Sequence, residues 1–271
     1  MDVKTAFLNV DIDTEIFIEQ PQGYQQNSNL ACKLRKGIYG LKQSPRLWNK
    51  KLDTFMNTTG FQRSICDQSI YYKISPNSPS KNVLISIWVD DIIIVASSEQ
   101  ITDIKQNFKN EFQMTDQGNI AYILGISIIR NRSTKQIQLY QPQYIKTILE
   151  RFQISKAHIA HTPSDTGTQL QKASENNVPD PKIPYRQAIG SLMYLMLTTR
   201  PDIAIALNKT AQHSSNYDDT HWTAVKRIIR YIKGTSNFAL TLGITNNSNN
   251  DTQETILTGA SDSDWAGDID D

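Results

Sequence analysis

The stretch Val83-Leu84-Ile85-Ser86-Ile87-Trp88-Val89, then Asp90-Asp91, then Ile92-Ile93-Ile94-Val95-Ala96, constrains this chain more than any other part of it. Each flank has strand length and is rich in β-branched residues, so the segment predicts a β-hairpin with two acids at its tip. Aspartate is common at turns, because its side chain bonds nearby backbone groups. A two-residue hairpin nevertheless prefers a glycine, and this one has none. Two adjacent carboxylates among so many apolar neighbours repel each other and are poorly solvated, and a divalent cation would relieve both costs. A hard-ion site also needs a carboxylate from elsewhere. Asp2 is a candidate, and Asp11, Asp13, Glu15 and Glu19 are alternatives that spacing alone does not rank.

Around the hairpin the pattern is mixed. Ser44 as N-cap and Pro45 at the first helical position open a helix whose Trp48, Leu52, Phe55 and Met56 share one face. Ile101, Ile104, Phe108 and Phe112 mark another, with Ser98 near its cap. Residues 121–129 read as a strand interrupted by Gly125. From Pro142 the periodicity becomes helical over 142–152, 184–199, 201–213 and 220–233, with Gly234 as a C-terminal cap. Residues 163–183 and 246–251 read as linkers. The fold class is α+β: a mixed or antiparallel sheet carrying the hairpin, followed by a mostly helical region.

A hydrophobic content of 38% is enough to bury a core, and no uncharged apolar run approaches the roughly 18 residues of a membrane span. The start lacks the basic and apolar parts of a signal peptide. Cys32 and Cys66 make neither a disulfide framework nor a metal motif. These features predict a soluble, intracellular, reduced protein. The net charge of +1 hides an asymmetry: residues 1–240 hold 28 Lys and Arg against 20 Asp and Glu, and residues 241–271 hold none against 7. Lys33, Arg35, Lys36, Lys42, Arg46, Lys50 and Lys51 form a basic belt opposed in that stretch by Asp53 alone. Such a belt suits a polyanion, and equally a well-solvated surface. The same two readings hold for Lys226, Arg227, Arg230 and Lys233, beside the apolar face of the helix at 220–233.

The segments MDVKTAFLN at 1–9, YGLKQSPRLW at 39–48, WVDDIII at 88–94, YILGISI at 122–128, YRQAIGSLMYL at 185–195 and TRPDIA at 199–204 occur in that order. Together they resemble the reverse transcriptase region of the Pol polyprotein of copia-type (Pseudoviridae) LTR retrotransposons. SDSDWAGD at 261–268 resembles the opening of that family's RNase H domain, with Asp262 as its first acid. The resemblance implies a polymerase palm over 1–142, a thumb and connection over 143–240 and a truncated RNase H start over 255–271. It implies RNA-directed DNA synthesis, with Asp2, Asp90 and Asp91 as catalytic carboxylates holding two Mg²⁺ ions, or Mn²⁺ in their place. Phe7 would lie under the incoming sugar and Gln43 beside the nucleotide, with Lys42 and Arg46 near phosphates. Trp88 would lie near the primer end, and Leu124-Gly125 would form the primer-grip turn. Implied partners are an RNA template, a DNA primer, deoxynucleoside triphosphates and the rest of the polyprotein, with no membrane. The implied setting is a cytoplasmic virus-like particle or the nucleus.

The chain departs from the family pattern at Val10, where glycine is common, and at Trp88, where tyrosine is commoner. The basic fingers stretch that normally precedes Asp2 is not among these residues. This predicts that Met1 is internal to a longer polyprotein or starts a truncated gene copy, and that residues 1–271 alone do not polymerise. A truncated remnant limited to nucleic-acid binding is the alternative, and a two-metal nuclease would need the acids but not Phe7 or Gln43.

Overall fold

The computed structural model describes residues 1–243 apart from 28, 166, 168 and 175. The proposed linker at 246–251 and the RNase H start with Asp262 lie outside the described residues. The chain divides into two compact units, one covering Met1–Ile120 and the other beginning at Ala121.

The first unit runs β1 (Asp2–Val3), β2 (Phe17–Ile18), β3 (Cys32–Lys33), α1 (Ser44–Thr58), β4 (Gln62–Arg63), β5 (Ile70–Lys73), β6 (Val83–Trp88), β7 (Asp91–Val95), α2 (Ser98–Glu111) and β8 (Met114–Thr115). Six strands form one antiparallel sheet in the order β4-β5-β6-β7-β1-β8, and β2 and β3 pair as a separate ribbon. On β6, Val83, Ile85 and Ile87 are buried while Leu84 and Trp88 are exposed, the period-two pattern of a sheet covered on one face. Covering that face are α1, through Trp48, Leu52 and Met56, and α2, through Ile104 and Phe108. Trp48, Phe55, Phe108 and Phe112 interlock with ring centroids 5.1–5.3 Å apart.

The start of α1 shifts by one residue. Gln43, in helical dihedrals, precedes Ser44 as the N-cap, and its side chain makes no cap bond. Ser44 opens the helix with a buried hydroxyl. At α2 the cap is Ser97, whose Oγ accepts from Gln100 N.

The second unit contains β9 (Tyr122–Ile123), β10 (Ile126–Asn131), β11 (Gln136–Tyr140), α3 (Pro142–Arg151), α4 (Tyr185–Thr198), α5 (Ala204–Ala211), α6 (Asp219–Gly234) and β12 (Leu240–Gly243). Residues 121–129 are a hairpin rather than one interrupted strand. Leu124 and Gly125 both have positive φ, +48° and +79°, the signs of a tight type I′ turn. The sheet order is β12-β11-β10-β9, so a strand after α6 returns to pair with β11. Ile145, Ile148, Leu192, Leu195, Leu207 and Ile228 centre the helical core. Residues 163–183 carry no regular element in their described part, yet Asn177 Nδ2 donates to Asn216 Oδ1 and Tyr217 O, and Tyr217 donates to Asp180 O. Gly234 is the last residue of α6 rather than its cap; a Cβ there would lie 3.3 Å from Ile159.

Between α4 and α5, Arg200 is only 1% exposed. Its guanidinium donates to Asp202 Oδ2 at 2.7 Å, to Thr235 Oγ1 at 2.6 Å and to Thr235 O at 3.0 Å, between the rings of Tyr231 and Phe238. No helix of the described residues is long and apolar enough to cross a membrane.

Candidate active site

β1 is short but lies inside the sheet. Asp2 stands opposite Asp91 of β7 on one side and Thr115 of β8 on the other, and Asp91 stands opposite Trp88 of β6. Directly opposed residues share a face. Trp88, Asp91, Asp2 and Thr115 therefore form a row on the open face, while Ile87, Ile92 and Val3 turn into the core. Acids far apart in sequence meet because a strand from one end of the unit pairs with the hairpin from the other.

The hairpin tip differs slightly from two acids in a turn. Its loop residues are Val89 and Asp90, and Asp91 already opens β7. Val89 has φ +55°, which costs a β-branched residue roughly 1–2 kcal/mol. Trp48 Nε1 donates to Val89 O at 2.7 Å, and Val3 N donates to Asp90 O at 2.8 Å.

Burial, followed by the neighbouring charges of Asp90 and Asp2, raises the Asp91 carboxyl above the usual carboxylate range. Asp90 Oδ2 accepts from the Tyr39 hydroxyl at 2.9 Å. Burial and that hydrogen bond push the Tyr39 phenol up. Among the described residues no three carboxylate, imidazole or thiol groups converge closely enough to form a ready-made metal cluster. The donor set still fits a hard divalent cation: oxygen ligands only, adjacent in register, with Asp91 held against its charge.

The backbone turns sharply between Asp2 and Phe7, as their opposite strand parity requires if both face one site. Thr5 takes φ +52° and a 3₁₀ turn follows at Ala6–Asn9. Phe7 is 6% exposed and meets the Tyr39 ring edge-on at 4.5 Å. Gln43, Lys42 and Arg46 stand at the start of α1. Arg46 Nη2 bonds Asp13 Oδ2 at 2.5 Å, Lys36 pairs with Asp11 at 2.8 Å and Lys33 pairs with Glu15. Three of the alternative acids thus pair with three of the belt's seven cations, and Asp2 is the one in register with the hairpin acids.

Leu124 and Gly125 belong to the second unit, where Tyr194 OH donates to Leu124 O at 2.6 Å and leans on Tyr144. On α6, Arg230 and Lys233 donate to His158 O and Ala157 O, and Arg227 bonds Thr162. Much of that basic face therefore holds a loop.

Two residues escaped the sequence reading. Trp48 reads as an apolar helix position, and the signal is that a buried indole needs an acceptor. Tyr39 has a weaker signal, an aromatic beside Gly40, whose φ is +94°.

Residues 1–166 match the family described as reverse transcriptase (RNA-dependent DNA polymerase). The chain is 38% identical to the retrovirus-related Pol polyprotein from transposon TNT 1-94 of Nicotiana tabacum, over 100% of the chain and 20% of that protein. It is 34% identical to the corresponding polyprotein from transposon RE2 of Arabidopsis thaliana, over 100% of the chain and 18% of that protein. A putative transposon Ty5-1 protein of Saccharomyces cerevisiae is 29% identical over 89% of the chain and 77% of its own length. The chain thus spans about a fifth of the length of the two plant polyproteins. No solved structure matches it.

Proposed function

Since the chain belongs to the reverse transcriptase (RNA-dependent DNA polymerase) family, we propose that its first unit is a polymerase palm whose Asp2, Asp90 and Asp91 serve nucleotidyl transfer onto a primer 3′-hydroxyl. The observation that carries this reading is the register of Asp2 against Asp91, with Asp90 next to it in the turn. What Mg²⁺ or Mn²⁺ would supply there is Lewis acidity towards the primer hydroxyl and the leaving pyrophosphate. The three acids would hold it, and its charge would offset the burial and the repulsion that raise Asp91. Tyr39 would release Asp90 Oδ2 as the ligands close.

The remaining residues position and exclude. Trp88, exposed beside Asp91, offers an aromatic surface to the primer end. Phe7, backed by Tyr39, would limit space under the sugar and favour deoxynucleotides. Gln43 and Lys42 would meet the nucleotide or template, and Arg46 would do so on exchanging Asp13 for a phosphate. Leu124-Gly125 would take the primer-grip role and α3–α6 that of thumb and connection. The partners are an RNA template, a DNA primer, deoxynucleoside triphosphates and the other segments of a Pol polyprotein, in a cytoplasmic particle or the nucleus.

The test is a chimera in which residues 1–271 replace the matching segment of the tobacco relative, assayed for extension of a DNA primer on RNA with Mg²⁺. Asp90→Asn is expected to lower the rate by about 10³-fold or more. Undiminished extension by that variant would overturn the assignment.

A further inference from the structure

In a two-residue hairpin the strand ladder fixes everything except the peptide between the two loop residues. Flipping that peptide exchanges type II′ for type I′ and leaves the strands paired. Here it is the Val89–Asp90 peptide. Val89 has positive φ and Asp90 does not, the signs of type II′. Local preference does not defend that state. Type II′ favours glycine where Val89 stands, and aspartate tolerates the positive φ that type I′ would ask of Asp90. Nor does close packing hold it, because a cavity of about 270 Å³ bordered by Phe7, Trp48, Leu52, Tyr71 and Ile87 reaches Val89.

We infer that Trp48 is the positioning residue of the carboxylate site: its indole N–H, 2.7 Å from Val89 O, locks the Val89–Asp90 peptide so that Asp90 is presented together with Asp91 and Asp2. The proposal rests on the carboxylate-site reading above. Trp48 suits the task because it is 3% exposed, sits on a 15-residue helix and is braced edge-on by Phe112 at 5.2 Å. Its bond acts on one face of the turn peptide, and Val3 N holds the next carbonyl along, Asp90 O, from β1. A flip would swing Val89 O away from the indole and re-aim the Asp90 Cα–Cβ bond, spoiling metal binding without unfolding the sheet. Trp48 acts through the backbone of the turn, at Val89 O.

Trp48→Phe would delete ring volume as well as the donor, so the decisive variant of the full chain carries 3-benzothienylalanine at position 48, which keeps the bicyclic shape and replaces N–H by sulfur. Mn²⁺ affinity is measured by calorimetry, alongside the thermal midpoint and exchange of the Asp90 and Asp91 amides. The expected result is a loss of about tenfold or more in Mn²⁺ affinity, with faster amide exchange at the turn and a midpoint near that of the parent. Unchanged Mn²⁺ affinity in the folded isostere overturns the lock while leaving the metal site standing. Parent Mn²⁺ binding that is absent, or that survives Asp90→Asn, overturns the carboxylate site and the proposal with it.

Discussion

Asp91 carries a conflict between stability and site chemistry. Burial first, then Asp90 and Asp2, raise its carboxyl, so the folded chain holds that proton more tightly than the unfolded chain does. Its contribution is therefore most favourable below the unfolded value of about 3.9 and is lost as pH rises through the raised folded value. Without metal, Asp91→Asn should leave stability nearly unchanged at low pH and raise it by about 0.5 kcal/mol at neutral pH, since the group is partly exposed. The check is the thermal midpoint at pH 4 and pH 7.5; a variant less stable than the parent at pH 7.5 counts against the charge conflict. The same Asn should weaken Mn²⁺ binding. Phe7 needs a different experiment because it is buried: Phe7→Ala should cost about 3 kcal/mol through its cavity alone. Phe7→Leu is therefore the informative variant. In the chimera it should raise ribonucleotide over deoxynucleotide incorporation, and an unchanged ratio at full activity would make Phe7 a core residue only.

At the scale of elements, the Arg200 clamp makes the sharpest prediction. Burial alone would raise Asp202, but hydrogen bonds from Arg200, its charge and the Tyr231 hydroxyl outweigh that and hold the carboxyl below its usual range. The resulting stability is present above about pH 4 and lost as pH falls through the depressed folded value. Arg200→Met should cost about 2 kcal/mol at pH 7, below the range for fully buried pairs because Asp202 is partly open to water. That deficit should shrink in denaturant melts taken progressively below pH 4. The elements themselves were legible to unequal degrees. The β6–β7 hairpin and α3 to α6 announced themselves because each has a clean period and its own start and stop residues. The β9–β10 turn reads in sequence as a mere interruption, since Leu124 gives no sign there that it will take positive φ beside Gly125. β12 was invisible: Leu240, Thr241, Leu242 and Gly243 are mostly exposed at a sheet edge and lack a buried stripe. Asp2 could not be separated from Asp11, Asp13 and Glu15 by the residues alone, because only strand register distinguishes an acid facing the hairpin from acids facing lysines and arginines.

At the scale of the whole molecule, part of the basic belt is balanced locally. Asp11, Asp13 and Glu15 sit as built-in counterions on Lys36, Arg46 and Lys33, so any nucleic acid bound there would have to displace carboxylates before meeting those cations. Asp13→Asn should tighten binding to a primed template and steepen the slope of log affinity against log salt by roughly 0.7–0.9 for the one cation freed. A slope that does not change would mean that Arg46 never meets phosphate. The interior place of β1 has its own outcome in time. The β6–β7 hairpin closes across two residues, whereas Asp2 reaches Asp91 only after most of the first unit's chain has been gathered between them. Loop closure of that size is slow and comes after local structure. The folding chain thus brings two of the acids together early and adds the third only on a long-range pairing, so a cation site built on all three would mature late. Mn²⁺ should accordingly slow unfolding in stopped-flow measurements while leaving the refolding rate almost untouched, the kinetic mark of a site absent from the transition state.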